Sequence, residues 1–203
     1  HALQGRSLAR IVNTHLHSDH VGGNATLQAR FADAGCTIAM PKGLAAAVAA
    51  WDVDALTFAP TGQRCDRFMY DALLDDGDVL PLGGLRWDVL AAPGHDPHMV
   101  MLFNTEHRVL ISADALWENG FGAIFPEIEG ESGFAEQRAA LALIERHAPL
   151  IALSPQARYL TLINARYFEQ PFDQFIRRLV TELVAAGAAT LVDGEVRNAE
   201  PGA

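Results

Sequence analysis

The first fifty residues alternate between short apolar runs and polar turns in the pattern of a βαβ unit. Arg10–Thr14 is a β-branched run that predicts a strand, and the apolar spacing of Asn24–Ala34 behind an asparagine cap predicts a helix. Thr37–Met40 predicts a second strand, which Pro41 closes. A group of histidines directly follows the first strand, so it lies at the carboxyl end of that strand, where open α/β folds gather their functional sites.

The middle of the chain predicts a helix, a linker and then a run of strands. Gly43–Trp51 has the spacing of a helix, whereas Thr57–Asp78 contains proline and glycine and predicts a mixed linker. Beyond it, apolar segments separated by short polar loops predict successive antiparallel strands at Val79–Leu80, Leu85–Leu90, Met99–Phe103 and Arg108–Ser112. An amphipathic helix, Glu136–His147, and a buried strand, Leu150–Leu153, complete an α/β domain with a mixed sheet.

The C-terminal segment has a different character. Pro171–Ala186 predicts an amphipathic helix, and Thr190–Val196 predicts a hairpin around an Asp-Gly turn. We therefore expect two domains, residues 1–155 and 156–203. A helix followed by a hairpin is typical of the end of a winged-helix unit and equally of a helical cap on the main core, so both interpretations stay open.

Composition and charge narrow the class of protein. Of the 203 residues, 50% are hydrophobic and 20% are charged, which is the balance of a folded globular protein. The formal net charge of −10 argues against nucleic acid as a partner, since such binding needs clustered Lys and Arg. Cys36 and Cys65 lie in different segments and predict free thiols. The sequence has neither a run of about 20 apolar residues nor a signal-peptide pattern, so we expect a cytoplasmic protein that does not bind membranes.

Several potential metal ligands are concentrated just after the first predicted strand. His15, His17, Asp19 and His20 offer imidazole and carboxylate groups, which are ligands for Zn²⁺ and also for Fe²⁺ or Mn²⁺. Residues two apart in an extended segment point to the same side, so His15 and His17 can hold one ion. Asp19 and His20 can face a second position once the chain bends. The run therefore offers two half-sites, each short of ligands.

Two polar residues at later strand ends are candidates for the missing ligands. His95 lies in a Pro-Gly-His-Asp-Pro-His loop between two predicted strands. Asp114 follows the apolar run Val109–Ile111, where a carboxylate is costly unless it is paired or bound to an ion. Both residues therefore fit a site shared with the histidines.

Together these motifs resemble the signature of the metallo-β-lactamase superfamily. Thr14–Gly23 resembles its His-x-His-x-Asp-His motif, and Pro93–His95 and Ser112–Asp114 resemble the next two motifs in the same order. The resemblance runs from about Arg10 to Leu153. It implies an αββα sandwich.

The resemblance also implies a ligand set and a mechanism. The implied ligands are His15, His17 and His95 for one metal, Asp19 and His20 for the other, and Asp114 as a bridge. Two zinc ions would hold an activated hydroxide, and Asp19 would orient the attacking water and act as the catalytic acid or base. We therefore expect a hydrolase acting on a small-molecule ester, lactone, thioester or amide.

Two departures from the family pattern change this expectation. Family members usually have two strands and an Asp-Gly turn before the signature, whereas fourteen residues precede His15 here. Part of the N-terminal sheet would then be lacking, either because the sequence is a portion of a longer protein or because another chain completes the sheet. The family also has a histidine after the strand equivalent to Leu150–Leu153, where this chain continues into Ser154–Gln156. We therefore expect a weakened second metal site.

Some assignments rest on position along the chain alone. His98 follows His95 and Trp117 follows Asp114 closely, so both are candidates for substrate contact. The Phe-rich segment 120–134 would form either a homodimer contact or a lid. Two other functions stay open: an oxidoreductase, if the site holds two iron ions, and a degenerate, non-catalytic binding module, since the last histidine is absent.

Overall fold

The computed structural model describes residues 6–117, 121–128, 131–147, 151–153, 189–192 and 195–198. The chain divides into two compact units, Leu3–Ala157 and Arg158–Ala203. The domain assignment from the sequence, with its winged-helix or helical-cap alternatives, stays a prediction.

The described part of the first unit contains both strands and helices. Its strands are β1 (Arg10–Val12), β2 (Thr37–Pro41), β3 (Ala72–Leu74), β4 (Val79–Leu82), β5 (Leu85–Ala91), β6 (Val100–Asn104), β7 (Val109–Ile111) and β8 (Ile151–Leu153). Its helices are α1 (Ser18–Val21), α2 (Asn24–Arg30), α3 (Ala45–Ala50), α4 (Phe125–Ile128) and α5 (Phe134–His147). Short 3₁₀ turns lie at Ala32–Ala34, Lys42–Leu44 and Ala113–Ala115. None of the described helices combines the length and the apolar character that crossing a bilayer requires.

The N-terminal strands form a parallel sheet in the order β1-β2-β3. β1 pairs with β2 so that Ile11 lies opposite Ile38, and α2 connects the two strands, which confirms the predicted βαβ unit. β3 lies inside Thr57–Asp78, so the prediction of a linker is wrong for this short stretch. Its three residues are too few to show an alternation, and two of them are exposed. The neighbouring Asp71 fixes β3 beside β2, because its Oδ2 accepts the backbone N–H of Ile38 at 2.7 Å.

The second sheet contains β4 to β8 in chain order. β4, β5, β6 and β7 pair antiparallel, which confirms the predicted meander. β8 runs parallel to β7, since α5 lies between them in the chain and carries it back to the same end of the sheet. The predicted mixed sheet is therefore confirmed; Leu150, which the sequence assigned to its last strand, lies outside the described residues.

Helices cover one face of each sheet. On the second sheet, Met101 and Phe103 of β6 form an apolar cluster with Ala140 and Ile144 of α5, which are four residues apart and share one face of the helix. The predicted helix Glu136–His147 is thus confirmed and begins two residues earlier. The layered α/β class expected from the sequence is confirmed.

The parallel sheet has its own apolar cluster. Ile38 and Met40 of β2 pack with Val21 and with Val48 of α3. The helix predicted at Gly43–Trp51 forms as a 3₁₀ turn followed by α3.

The described part of the second unit is a hairpin of β9 (Ala189–Val192) and β10 (Glu195–Asn198). The strands pair antiparallel, with Val192 opposite Glu195, so the predicted hairpin is confirmed. The turn predicted at Asp193-Gly194 and the helix predicted at Pro171–Ala186 lie outside the described residues.

Candidate metal centre

The histidine loop is fastened to both sheets of the first unit. The backbone N–H of Asn13 donates to the carbonyl of Ala39 at 2.9 Å, and the carbonyl of Thr14 accepts the N–H of Val100 at 2.9 Å. The buried Asn13 side chain also accepts a 2.8 Å hydrogen bond from the Nδ2 of Asn24. The loop that carries His15 is therefore held from three directions. The predicted asparagine cap is wrong, because Asn24 is the first residue of α2 and its side chain bonds to Asn13 instead of capping the helix. Sequence analysis had not singled out Asn13.

The bend expected between His17 and His20 is one turn of helix, α1. Val21 of this turn is fully buried, which fixes the rotation of the helix. His20 consequently faces the other histidines, with its ring centroid 4.0 Å from that of His15. The Asp19 side chain is 76% exposed and faces outward.

His95 is placed by a loop that requires its preceding glycine. Gly94 has a φ of 141°, and a Cβ at this position would lie 2.6 Å from the Cα of Gln137, so only glycine fits. The His95 ring contacts the carbonyl oxygen of Ala123 through Nδ1 at 2.6 Å. Because a carbonyl only accepts, Nδ1 carries the proton and Nε2 presents a lone pair to the cluster.

Asp114 lies in the 3₁₀ turn that follows β7 and is buried. Its Oδ2 lies 3.3 Å from Nε2 of His95 and 3.4 Å from Nε2 of His20. Its Oδ1 is buried without a hydrogen-bond partner among the described residues. A buried carboxylate oxygen with no partner is costly unless an ion or water contacts it.

These side chains form two overlapping groups of metal ligands. In each group the candidate ligand atoms all lie within 4.8 Å of one another. The groups are His15, His17 and His95, and His15, His20 and Asp114. His15 is fully buried, and its Nε2 has no hydrogen-bond partner among the described residues. Three imidazoles, or two imidazoles and a carboxylate, are sets that bind Zn²⁺, so the residues present fit a metal.

Burial and mutual contact shift the pKa values of the cluster. Burial, reinforced by the neighbouring imidazoles, lowers the pKa of His15 to about 2, and burial also lowers the pKa of His17. Burial lowers the pKa of His20 as well, but the hydrogen bond and charge of Asp114 outweigh it and raise this pKa above 6.5. For Asp114, burial raises the pKa, but the imidazoles of His20 and its neighbours lower it to about 2. The metal-free site therefore holds neutral His15 and His17 beside a His20–Asp114 pair.

The metal-free protein should consequently lose stability as the pH falls below 6.5. Unfolded His15 takes up a proton there and the folded side chain does not, so at pH 5 this group alone disfavours folding by about 2 kcal/mol. His20 acts in the opposite direction: its raised pKa stabilises the fold below 6.5, and this contribution disappears as the pH rises through the raised value. Urea unfolding of chelated protein at pH 7.5 and pH 5 measures the difference. In His15→Ala the loss on acidification should shrink; an equal loss in both proteins would refute the assignment.

The candidate ligands open onto a cavity of about 350 Å³. The candidate ligands that line it are His17, Asp19, His95 and Asp114. The Phe125 ring also lines it, with its centroid 4.9 Å from that of His17 and 5.4 Å from that of His95. Trp117 lines the same cavity, and its Nε1 is buried without a hydrogen-bond partner among the described residues. A small molecule in this cavity would lie against the cluster.

The family model of the metallo-beta-lactamase superfamily matches residues 1–154. The chain belongs to the metallo-beta-lactamase superfamily. The resemblance expected from the motifs is therefore confirmed.

Relatives in this superfamily include proteins named hydroxyacylglutathione hydrolase. The one from Rhodopseudomonas palustris (strain HaA2) is 33% identical over 122 residues, which are 60% of this chain and 39% of that protein. The one from Methylococcus capsulatus is 28% identical over 193 residues, which are 93% of this chain and 64% of that protein. The chain thus spans less than two thirds of either relative.

Solved structures agree on the superfamily fold. A beta-lactamase domain protein from Burkholderia ambifaria superposes with a TM-score of 0.58 at 21% identity, covering 91% of this chain and 59% of that one. A beta-lactamase from Chitinophaga pinensis gives a TM-score of 0.54 at 19% identity, covering 87% and 72% of the two chains.

The structure agrees with the ligand set that the superfamily implies except in the position of Asp19. His15, His17 and His95 come together as one group, and Asp114 contacts His20, as that set requires. Asp19 belongs to neither group; its Oδ2 lies 3.5 Å from Nε2 of His20 at the exposed edge of the cavity. Its roles as ligand and as catalytic acid or base therefore stay predictions.

The structure separates the two substrate-contact candidates. Trp117 lines the cavity of the cluster, whereas His98 is exposed and lines another cavity together with Lys42 and Gly43. The position expected to hold a last histidine, Ser154–Gln156, lies outside the described residues. Sequence analysis missed Asp96, which the Gly-His-Asp string placed next to a ligand, and Phe125, which no motif marks.

Proposed function

We propose that this chain carries the zinc-dependent hydrolase site of an enzyme that cleaves a small-molecule thioester or ester, with lactones and amides as further candidates. The observation that carries the proposal is the pair of ligand groups that share His15 beside the cavity. In these groups, His15 Nε2 and Asp114 Oδ1 are buried and have no hydrogen-bond partner among the described residues. The relatives named hydroxyacylglutathione hydrolase support a thioester as the first substrate to test.

The chain's own residues would share the work of such a reaction. His15, His17 and His95 would hold a divalent metal, which would supply a Lewis acid and lower the pKa of water toward neutrality. Asp19 reaches the edge of the cavity, where its carboxylate can accept a proton from the attacking water. Trp117 can donate its unpaired Nε1–H to a substrate oxygen. Phe125 contacts the rings of His17 and His95 and would shield one side of them from bulk water.

Zinc is the proposed metal because the ligand groups are rich in imidazole. Iron and manganese accept the same ligands and are the alternatives to test. A weakened second site, a homodimer contact through segment 120–134 and a cytoplasmic location also stay predictions, as does the absence of nucleic acid among the partners. Residue 120 and residues 129 and 130 of that segment lie outside the described residues.

The test is turnover of a substrate panel by protein loaded with zinc and by the same protein after chelation. The panel comprises a hydroxyacylglutathione thioester, a thioester of a simpler thiol, an aryl ester, a γ-lactone and a β-lactam. We expect thioester or ester turnover that chelation abolishes and added zinc restores. If zinc-loaded protein hydrolyses none of these substrates, the proposal is contradicted. Oxygen uptake by iron-loaded protein would indicate an oxidoreductase instead.

A further inference from the structure

Asp96 is a buried carboxylate of the metal centre that the ligand groups do not use. It is 7% exposed, and its Oδ2 lies 3.6 Å from Nε2 of His17. At this distance the contact is electrostatic rather than a hydrogen bond. A buried carboxylate beside an imidazole favours a proton on the nitrogen that faces it, since that N–H points its positive end at the charge.

The opposite nitrogen of His17 faces the cluster. Its Nδ1 lies 2.9 Å from Nε2 of His95, which presents a lone pair because the other nitrogen of that ring donates to Ala123. In a metal-free protein, a proton on Nδ1 of His17 would satisfy this lone pair and block both nitrogens. Metal binding by the group His15, His17 and His95 requires the other tautomer, with the proton on Nε2.

We propose that Asp96 is a positioning residue that holds the proton of His17 on Nε2 and so leaves Nδ1 free to bind metal; this rests on the proposed metal centre. Loss of a carboxylate that fixes the tautomer of a metal-ligating histidine typically lowers metal affinity about 10- to 100-fold.

The backbone holds Asp96 in place for this role. Its Oδ1 accepts the backbone N–H of His98 at 2.8 Å, and its carbonyl accepts the N–H of Met99 at 3.2 Å. Pro97 follows directly and fixes the local dihedral angles. With Oδ1 engaged by the backbone, Oδ2 stays turned to His17.

Zinc affinity of Asp96→Asn, measured by competition with a chromophoric chelator, tests the proposal. Asparagine keeps the size of the side chain and an acceptor for His98, but it removes the charge that faces His17. We expect zinc to bind about 10- to 100-fold more weakly. The control is Asp88→Asn, a partly exposed carboxylate on β5 that contacts Arg86 and Thr105 and should leave zinc affinity unchanged.

A double-mutant cycle shows whether Asp96 acts through His17. In a His17→Ala background, Asp96→Asn should cause little further loss of zinc affinity, since coupled residues are not additive. An equal loss in both backgrounds would mean a general effect on the fold and would overturn the proposal, as would wild-type affinity in the single variant.

The tautomer of His17 in the metal-free protein gives a readout that is independent of zinc. Long-range ¹H–¹⁵N correlation spectra should show the His17 proton on Nε2 in the wild type and a shift of the population toward Nδ1 in Asp96→Asn. A wild type with the proton on Nδ1 would refute the role of Asp96 even if zinc binds. Failure of the wild type to bind zinc, with the predicted tautomers present, would instead refute the metal centre and leave the Asp96–His17 interaction standing.

Discussion

The His15→Ala variant is expected to lose at least about 1000-fold of the zinc-dependent hydrolysis, because a metal Lewis acid contributes several kcal/mol to the barrier and about 1.4 kcal/mol is tenfold in rate. His15 is the residue that both ligand groups share. Its loss leaves two ligands in each group: His17 and His95 in one, His20 and Asp114 in the other. Catalytic zinc sites have three protein ligands, so neither remaining pair is sufficient. Activity is measured as kcat/KM on the substrate that the panel identifies, with zinc in excess.

The control for this variant is His107→Ala, which changes a histidine between β6 and β7, away from the cluster. It should keep wild-type kcat/KM. Thermal unfolding of both chelated variants checks that they fold, since His15 is fully buried and its truncation leaves a void. A folded His15→Ala that retains more than about a tenth of the wild-type rate would contradict the shared-ligand geometry, because about 1.4 kcal/mol is too little for the loss of a metal.

The Asp114→Ala variant should lose about half of the bound metal and most of the activity. Among the described residues, Asp114 supplies the carboxylate of the second ligand group and contacts both His20 and His95. The group His15, His17 and His95 survives the substitution, so with zinc in excess one zinc should remain, whereas a second zinc held by His20 and Asp114 should be lost. We expect kcat to fall by about 100-fold or more, the scale of a lost electrostatic contact at a reacting centre.

Two further variants make this expectation specific. Asp114→Asn keeps the shape of the side chain and one neutral oxygen. Its metal content should therefore lie between those of Asp114→Ala and the wild type. Asp88→Ala removes a carboxylate from the sheet without touching the site and should match the wild type. Asp114→Ala with unchanged zinc content would mean that His15, His20 and Asp114 do not form a metal position.

The regular elements followed from local pattern because paired strands are neighbours along the chain: loops join β4 to β7, and a helical segment connects β1 to β2. The meander of β4 to β7 and the parallel pair β1 and β2 needed no knowledge of distant contacts. β3 was missed for the opposite reason: Ala72–Leu74 becomes a strand through its pairing with β2, and nothing in its own sequence distinguishes it from a loop.

The sequence predicted which residues are candidate ligands of the site, but not how they group in space. Motif order identified His15, His17, His20, His95 and Asp114. The one turn of helix at Ser18–Val21 decides that His20 faces inward and Asp19 outward, and this turn depends on the burial of Val21 in a core assembled from residues far along the chain. Asp96 was missed because its role depends on the distance to His17, 79 positions away in sequence, and Phe125 because one apolar residue carries no motif.

The metal centre is tested most simply by the metal content per chain, measured by elemental analysis on wild type and His15→Ala purified without chelator. We expect one or two equivalents of zinc in the wild type and almost none in the variant. Iron in the wild type, lost in the variant, would keep the ligand geometry and overturn the assignment as a zinc hydrolase. A wild type that binds no metal when zinc is added, or equal amounts of metal in both proteins, would contradict the metal centre itself.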